Sequence, residues 1–370
     1  MTPPPGPEPE VFAVITGGGT GGHVYPALAL AGELVARGHA PDTIRFVGAR
    51  RGLEARVVPA AGYEIDLLPG RGFQRRLTPA NVRAAWDTLV AFVRARRVVR
   101  RARPEVVVGV GGYASLPCLV AARLRRLPAV VHEQNAAPGL ANRVAVRMGA
   151  HPAVSLPGTP LRGAVLTGNP VRAEVAAARR APDPGRPLVA VFGGSLGAGR
   201  INDAVLDLYD RWRERSDVSV HHVTGSRNYA ACTARLAAMR KPGDALHYEL
   251  VGYEDHMEQL YARTTVAVCR AGAVTVAELA AAGVPAVLVP LPGAPGDHQT
   301  RNADAFVDAA AAVLLPDDQC DGPRLDSELR TLLADPARLD AMAAGASRLA
   351  RRDAAARLAD LVEEVAGAGR

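Results

Sequence analysis

The sequence is poor in aromatics, almost devoid of lysine and without a long apolar run, and each shortage removes a class of function. Aromatic residues make up 4% of the 370 residues. With so few rings to stack on bases and no recognisable nucleic-acid module, no nucleic-acid partner is expected. Lys241 is the only lysine, so there is no P-loop lysine to reach a β- or γ-phosphate. Four cysteines, Cys118, Cys232, Cys269 and Cys320, are far apart with no Cys-x-x-Cys pair, which argues against a disulfide framework and against a zinc site. No Asp-x-Asp pair is present, so no carboxylate pair offers itself to a metal. No segment approaches the ~20 apolar residues of a membrane span. The Pro-rich tail, residues 1–10, has neither the basic nor the apolar region of a signal peptide. These absences lead to the expectation of a cytoplasmic protein, one able to sit on a membrane surface.

What is present is an ordinary globular composition, 48% hydrophobic and 22% charged, with a net charge of +7. At roughly 100–200 residues per domain, the length predicts two domains. Short, nearly all-apolar runs alternate with Ala/Leu/Arg-rich segments. The runs are Val11–Thr16, Ile44–Val47, Val106–Val110, Ala129–His132, Leu188–Phe192, Val218–Val223, Val266–Cys269 and Ala286–Val289. Strands of that kind, buried on both faces and separated by helices, predict an α/β fold with parallel sheets.

The pattern occurs twice. Val11–Thr16 runs into Gly17-Gly18-Gly19-Thr20-Gly21-Gly22, and Leu188–Phe192 runs into Gly193-Gly194-Ser195-Leu196-Gly197-Ala198-Gly199. A glycine turn between strand and helix lets backbone amides approach a phosphate, and the helix N-terminus adds a favourable dipole. Two such loops in matching positions predict two Rossmann-like domains and phosphate chemistry in at least one. The second strand of each half ends without a carboxylate, at Phe46-Val47-Gly48-Ala49-Arg50 and Val223-Thr224-Gly225-Ser226. Neither loop is a clean G-x-G-x-x-G, so a dinucleotide-dependent or ATPase reading is disfavoured.

In open α/β sheets, ligands gather beyond the carboxyl ends of the strands, and polar clusters fall there. His23 follows the first glycine loop, with Pro26 just beyond to open the helix; it is a candidate general base. Gly111-Gly112-Tyr113 follows one strand, and His132-Glu133-Gln134-Asn135 follows another. In the second half Arg270–Glu278 follows Val266–Cys269. Thr275 and Glu278 have the spacing of a capping box, which the residues alone favour. The alternative is that Glu278 accepts two hydroxyls of a ligand diol. His298, Gln299 and Asn302 follow a Pro/Gly loop and suit sugar hydroxyls.

One segment carries the charge. Residues 71–103 hold ten arginines and one acid, Asp87, for a net +9 on a remainder of −2. Val82, Trp86, Leu89 and Val93 share one helical face. That face reads either as the core side of a helix with a solvated basic back, or as a docking surface for an anionic leaflet. The docking reading uses Phe73, Arg75, Arg76, Trp86 and Arg97.

Taken in order, Gly17–His23 with Pro26, Gly111–Tyr113, His132–Asn135, Asn169-Pro170-Val171-Arg172, Gly193-Gly194-Ser195, Arg270–Glu278 and His298-Gln299…Asn302 resemble MurG, the N-acetylglucosaminyltransferase family of peptidoglycan synthesis. The resemblance runs from about residue 11 to 350. It implies a GT-B architecture, two Rossmann-like domains facing a central cleft. Residues 11–167 would form an acceptor and membrane-docking domain and 168–350 a UDP-GlcNAc-binding domain. A last helix in 351–370 has packing back on the first domain as one option, which the residues leave open. The implied reaction is inverting transfer of GlcNAc from UDP-GlcNAc to the C4 hydroxyl of the lipid-linked muramoyl pentapeptide, lipid I, with no metal or other cofactor, at the cytoplasmic face of the cell membrane.

By the same resemblance His23 is the base, and Thr20, Tyr113, Glu133 and Asn135 line the acceptor side. Thr20, Gly21, Gly22, Asn135, Arg172, Ser195, Ala273, Val274, Thr275, Glu278, His298 and Gln299 bind the donor, and the loop around Tyr253 to Met257 borders the uracil. The chain departs from the family at Leu196, where the second glycine loop normally carries glutamine; leucine cannot hydrogen-bond a substrate. Alternatives are a divergent GT-B enzyme acting on another lipid or a secondary metabolite, a UDP-GlcNAc epimerase, which needs no acceptor, and a non-enzymatic nucleotide-sugar sensor or membrane adaptor.

Overall fold

The computed structural model describes residues 11–69, 80–194 and 197–369, with side chains for all of these except 80–86. Phe73, Arg75, Arg76, Ser195 and Leu196 lie outside the described residues, and the side chain of Trp86 does too.

The chain divides into two compact units, 1–172 with 353–370, and 173–352. In the first unit the order is β1 (Ala13–Thr16), α1 (Gly21–Ala36), β2 (Ile44–Ala49), α2 (Glu54–Ala60), β3 (Ile65–Leu68), α3 (Ala80–Ala102), β4 (Val106–Gly109), α4 (Ser115–Leu124), β5 (Ala129–Glu133), α5 (Leu140–Arg147), β6 (His151–Val154) and β7 (Val165–Leu166). The second unit holds α6 (Ala173–Ala177), β8 (Leu188–Phe192), α7 (Gly199–Trp212), β9 (Ser219–Val223), α8 (Tyr229–Met239), β10 (His247–Val251), α9 (Met257–Arg263), β11 (Val266–Cys269), α10 (Ala273–Ala282), β12 (Ala286–Leu288), α11 (His298–Asp308), β13 (Ala312–Leu314), α12 (Gly322–Leu333) and α13 (Pro336–Leu349). The closing helix α14 (Ala354–Ala368) packs in the first unit.

Each unit is built on one parallel sheet, ordered β3-β2-β1-β4-β5-β6-β7 and β10-β9-β8-β11-β12-β13. Ala13 pairs with both Ile44 and Val106, so β1 sits centrally, between the strands on either side of the point where strand order reverses. Leu188 pairs with Ser219, and Val189 with both Val220 and Val266, which gives β8 the same place in the second sheet. Both glycine loops leave the sheets at these reversal points, where α/β folds bind ligands. The side chains of β1, β4, β8 and β11 are buried on both faces, as their all-apolar runs predict. α14 covers the first sheet with Leu358, Ala359, Val362 and Ala366, against Leu30 and Leu34 of α1. At its edge Arg37 binds Asp360 and Glu363 at 2.7 and 2.8 Å.

One expectation is corrected here, and one of two readings is set aside. Pro26 does not open α1, which begins at Gly21 and carries the proline in its interior. Of the two readings of the α3 stripe, the core-side one does not hold for Leu89 and Val93, the stripe residues whose side chains are described. The buried stripe is Ala91, Ala95, Val99 and Ala102, while Leu89 and Val93 are 55% and 45% exposed. Small alanines let α3 lie close on α4 and leave its larger apolar residues facing out among arginines.

Candidate functional site

The first glycine loop is held by its neighbours before any ligand arrives. Gly17 N–H donates to Val47 O and Gly18 N–H to Gly111 O. Thr16 Oγ1 donates to Ala114 O, and Ser115 Oγ donates to Gly111 O and Thr16 O, so the loops after β1 and β4 are laced together by buried hydroxyls. The approach is tight. A Cβ on Gly112, whose φ is +84°, would stand 2.3 Å from Gly18 O, so no other residue fits there. Thr20 and His23 emerge from this clasp. His23 Nδ1 lies 3.5 Å from Thr20 Oγ1, and the other edge of its ring rests against Gly111. The first amides of α1, those of Gly21 and Gly22, have no intrahelical acceptor and face whatever occupies the helix N-terminus.

Two histidines therefore stand at the end of this sheet, and the structure separates them. His132 is fully buried. Its Nε2–H donates to Gly168 O at 2.9 Å and its Nδ1 accepts from Gln134 Nε2 at 3.0 Å. Burial pushes its pKa down to about 4. With both nitrogens occupied and the ring neutral, His132 is a fixed strut. His23, by contrast, is half-buried.

Glu133, Asn135 and Tyr113 surround the same end of the sheet in differing roles. The Glu133 carboxylate is buried and already accepts from Asn135 N, Asn135 Nδ2, Gly139 N and Asn142 Nδ2 at 2.8–3.2 Å. It anchors the loop that carries Asn135. Tyr113 Oη donates to Thr88 Oγ1 of α3 at 3.1 Å, tying this loop to the basic helix. Arg172, expected beside the donor, belongs to the first unit and stacks on the ring of Tyr25 in α1 at 5.1 Å.

Sequence reasoning missed Glu54. The second strand offers no carboxylate at its end, yet one folds back from five residues beyond. Glu54, at the start of α2 and 2% exposed, accepts from Gly19 N at 2.8 Å and from Ala49 N at 2.7 Å. The only signal was a string of glycines around it, Gly48 and Gly52, whose purpose shows once the side chain is in place. The deep end of the first glycine loop thus already holds an anion supplied by the chain.

In the second unit, Gly197 closes the second glycine loop onto β9. Its φ is +78°, and a Cβ there would fall 2.1 Å from Thr224 O. Asn202 Nδ2 donates to the same Thr224 O, His222 Nε2–H donates to Asn202 Oδ1, and Tyr248 Oη donates to His222 Nδ1. Burial pushes the His222 pKa down to about 3. Below pH 6.5 the unfolded chain takes protons that folded His132 and His222 refuse, so stability is full above about 6.5 and falls as pH drops toward 4 and 3. The urea midpoint is therefore expected to fall between about pH 7 and pH 4.5, before most carboxylates titrate. A midpoint unchanged over that range would show that these rings are not held neutral.

The segment after β11 corrects the capping-box reading. α10 starts at Ala273 behind the N-cap Gly272, and Thr275 lies inside its first turn. No side chain caps the helix, so the amides of Ala273, Val274 and Thr275 stand at an open N-terminus suited to an anion. Glu278, one turn further on, is buried and accepts from Tyr261 Oη at 3.0 Å. Arg270 anchors the next loop, donating to Val289 O and Pro290 O and pairing with Asp317 at 2.6 Å. His298 Nδ1–H donates to Pro295 O, and Gln299 Oε1 accepts from Leu291 N, which leaves His298 Nε2 and the Gln299 amide nitrogen for a ligand. On β9, His221 lies between Glu249 and Glu254 at 2.8 and 3.0 Å and fastens the loop that carries the exposed Tyr253.

Both halves of the chain have counterparts among known proteins. The glycosyltransferase family 28 N-terminal domain matches residues 13–151 and its C-terminal domain residues 188–358. A UDP-N-acetylglucosamine–N-acetylmuramyl-(pentapeptide) pyrophosphoryl-undecaprenol N-acetylglucosamine transferase from Alkalilimnicola ehrlichii is 44% identical, covering 95% of this chain and 98% of its own. One from Methylococcus capsulatus is 42% identical, covering 96% and 99%. The crystal structure of Acinetobacter baumannii MurG superposes with a TM-score of 0.75 at 29% identity, covering 95% of this chain and 99% of that one. The glycosyltransferase of kitacinnamycin, at 18% identity and a TM-score of 0.70, shares the fold. Matched in both halves and over nearly its whole length, the chain belongs to glycosyltransferase family 28 and, within it, to the MurG family of N-acetylglucosamine transferases.

Proposed function

We propose that the chain transfers GlcNAc from UDP-GlcNAc to the C4 hydroxyl of lipid-linked muramoyl pentapeptide, lipid I, with inversion at the anomeric carbon. The observation that carries this is the division of labour between the two units. The first presents one accessible histidine beside a polar loop, and the second presents an uncapped helix N-terminus one turn from a buried carboxylate. His23 takes the proton of the acceptor hydroxyl as its oxygen bonds to C1 of GlcNAc. The C1–O bond to the diphosphate breaks, and UDP leaves with the electron pair. The amides of Ala273 to Thr275 meet the charge that develops on the diphosphate. Glu278 accepts from the ribose hydroxyls, and His298 and Gln299 read the sugar.

We read the diphosphate as met by the open N-terminus of α10 rather than by a resident metal, in keeping with a sequence that has no Asp-x-Asp pair. We place the acceptor at an anionic cytoplasmic leaflet, which the protein meets peripherally. No helix among the described residues is long and apolar enough to cross a membrane. Leu89 and Val93 stand exposed on α3 beside exposed Arg96, Arg97 and Arg100, the composition of an interfacial helix.

UDP release from UDP-GlcNAc, measured with and without a lipid I analogue in anionic vesicles, tests the reading. Release is expected to require the acceptor and to slow as salt screens the arginines. Consumption of UDP-GlcNAc without acceptor would overturn transfer, and a rate indifferent to salt and vesicle charge would remove the docking surface.

A further inference from the structure

We infer that Glu54 is a positioning residue for the transfer reaction, a built-in anion that sets the first glycine loop and through it Thr20 and His23. This rests on the proposed role of His23. The carboxylate is 2% exposed and bridges two segments, one oxygen on the Gly19 amide and the other on the Ala49 amide. Three glycines clear the space it fills. A Cβ on Gly18 or Gly52 would lie 2.0 Å from a carboxylate oxygen, and one on Gly48 would lie 2.4 Å from Cγ. Such a cradle is costly to build around a side chain of no consequence, and its loop end is one residue from Thr20. Glu54 and His23 also stand in the walls of one small cavity of about 10 Å³, with Ile15, Gly17, Phe46 and Val58.

The bond has two effects on the loop. It takes the Gly19 amide, so the deep end of the turn is closed to a ligand phosphate, and a negative charge there repels one. An anionic ligand group at this loop is thereby left the helix tip at Gly21 and Gly22. It also fixes the residue before Thr20, so that the chain leaves the turn in one direction and carries the His23 ring to one place. Glutamine cannot replace the carboxylate at both ends, because its amide nitrogen would meet an N–H donor.

The test compares Glu54→Gln and Gly52→Ala. The second pushes a methyl group into the carboxylate without touching the glycine loop. Misplacing a base by about 1 Å costs on the order of 10²-fold. Both variants are therefore expected to lose about that factor in kcat, to keep the KM for UDP-GlcNAc, whose proposed binding groups lie mainly in the second unit, and to stay folded at the assay temperature with a Tm lowered by a few degrees. Wild-type kcat in either variant, while His23→Ala is inactive, overturns the inference and leaves the proposed function standing. Loss of kcat only in proportion to lost folded protein also overturns it, by assigning Glu54 a structural role alone. Wild-type kcat in His23→Ala would instead overturn the reading of the site.

Discussion

His23→Ala is expected to lower kcat by about 10²–10⁴-fold, the usual contribution of a positioned general base. The ring stands at the mouth of the clasp formed by the loops after β1 and β4, with Thr20 Oγ1 3.5 Å from one nitrogen. Its replacement leaves that clasp intact, since Gly17, Gly18, Thr16 and Ser115 hold it through bonds that do not involve the histidine. The affinity for UDP-GlcNAc, borne mainly by the second unit, should change little. His132 cannot stand in, because both its nitrogens are occupied and burial holds it neutral. Pre-steady-state quench, which isolates the chemical step from UDP release, is the measurement of choice. A chemical step unchanged in His23→Ala would mean that the acceptor hydroxyl loses its proton elsewhere.

Much of this organisation is legible in the sequence, and what is not follows a physical pattern. Strands buried on both faces announce themselves as apolar runs, so all eight runs correspond to strands. The missed strands lie toward sheet edges, where one face or one side is free. β3 contains Asp66, and β10 alternates between exposed and buried residues. β6 carries Pro152, tolerated because β7 pairs only with Ala153 and Val154. The stripe on α3 could be read from sequence either as a core side or as an outward docking surface, and spacing alone does not choose between them. Close packing on α4 favours alanine there, and Leu89 and Val93 are turned out. The roles of carboxylates were the least legible. Glu54 and Glu133 spend their oxygens on backbone amides of the loops they hold. Glu278, whose spacing suggested a cap, lies a full turn inside its helix. A carboxylate's function depends on which amide or hydroxyl it meets, and that is set by loop geometry rather than by spacing along the chain.

Glu278→Ala is expected to weaken donor binding by about 10–10²-fold, the cost of a hydrogen bond to a charged acceptor at about 1.5–3 kcal/mol. In the proposed donor site the carboxylate, already fixed by Tyr261 Oη at 3.0 Å, accepts from the ribose hydroxyls. Those hydroxyls are far from the bond that breaks, so the interaction is the same in ground and transition states. The loss should then appear in the KM for UDP-GlcNAc, with kcat at saturating donor nearly unchanged. The contact is isolated by titrating UDP and its 2′-deoxy analogue against both proteins. The native protein should prefer UDP, because the deoxy ligand leaves a buried carboxylate short of a donor. The variant should bind the two almost equally, since the group that told them apart is gone. Glu278→Ala also removes the bond from the Tyr261 hydroxyl, and a repacked second unit would weaken both ligands alike while preserving their ratio. Glu278→Gln, which can still accept from Tyr261, separates these cases. If the preference for the 2′-hydroxyl survives in both variants, the ribose is bound by another group and Glu278 serves only to hold Tyr261 in place.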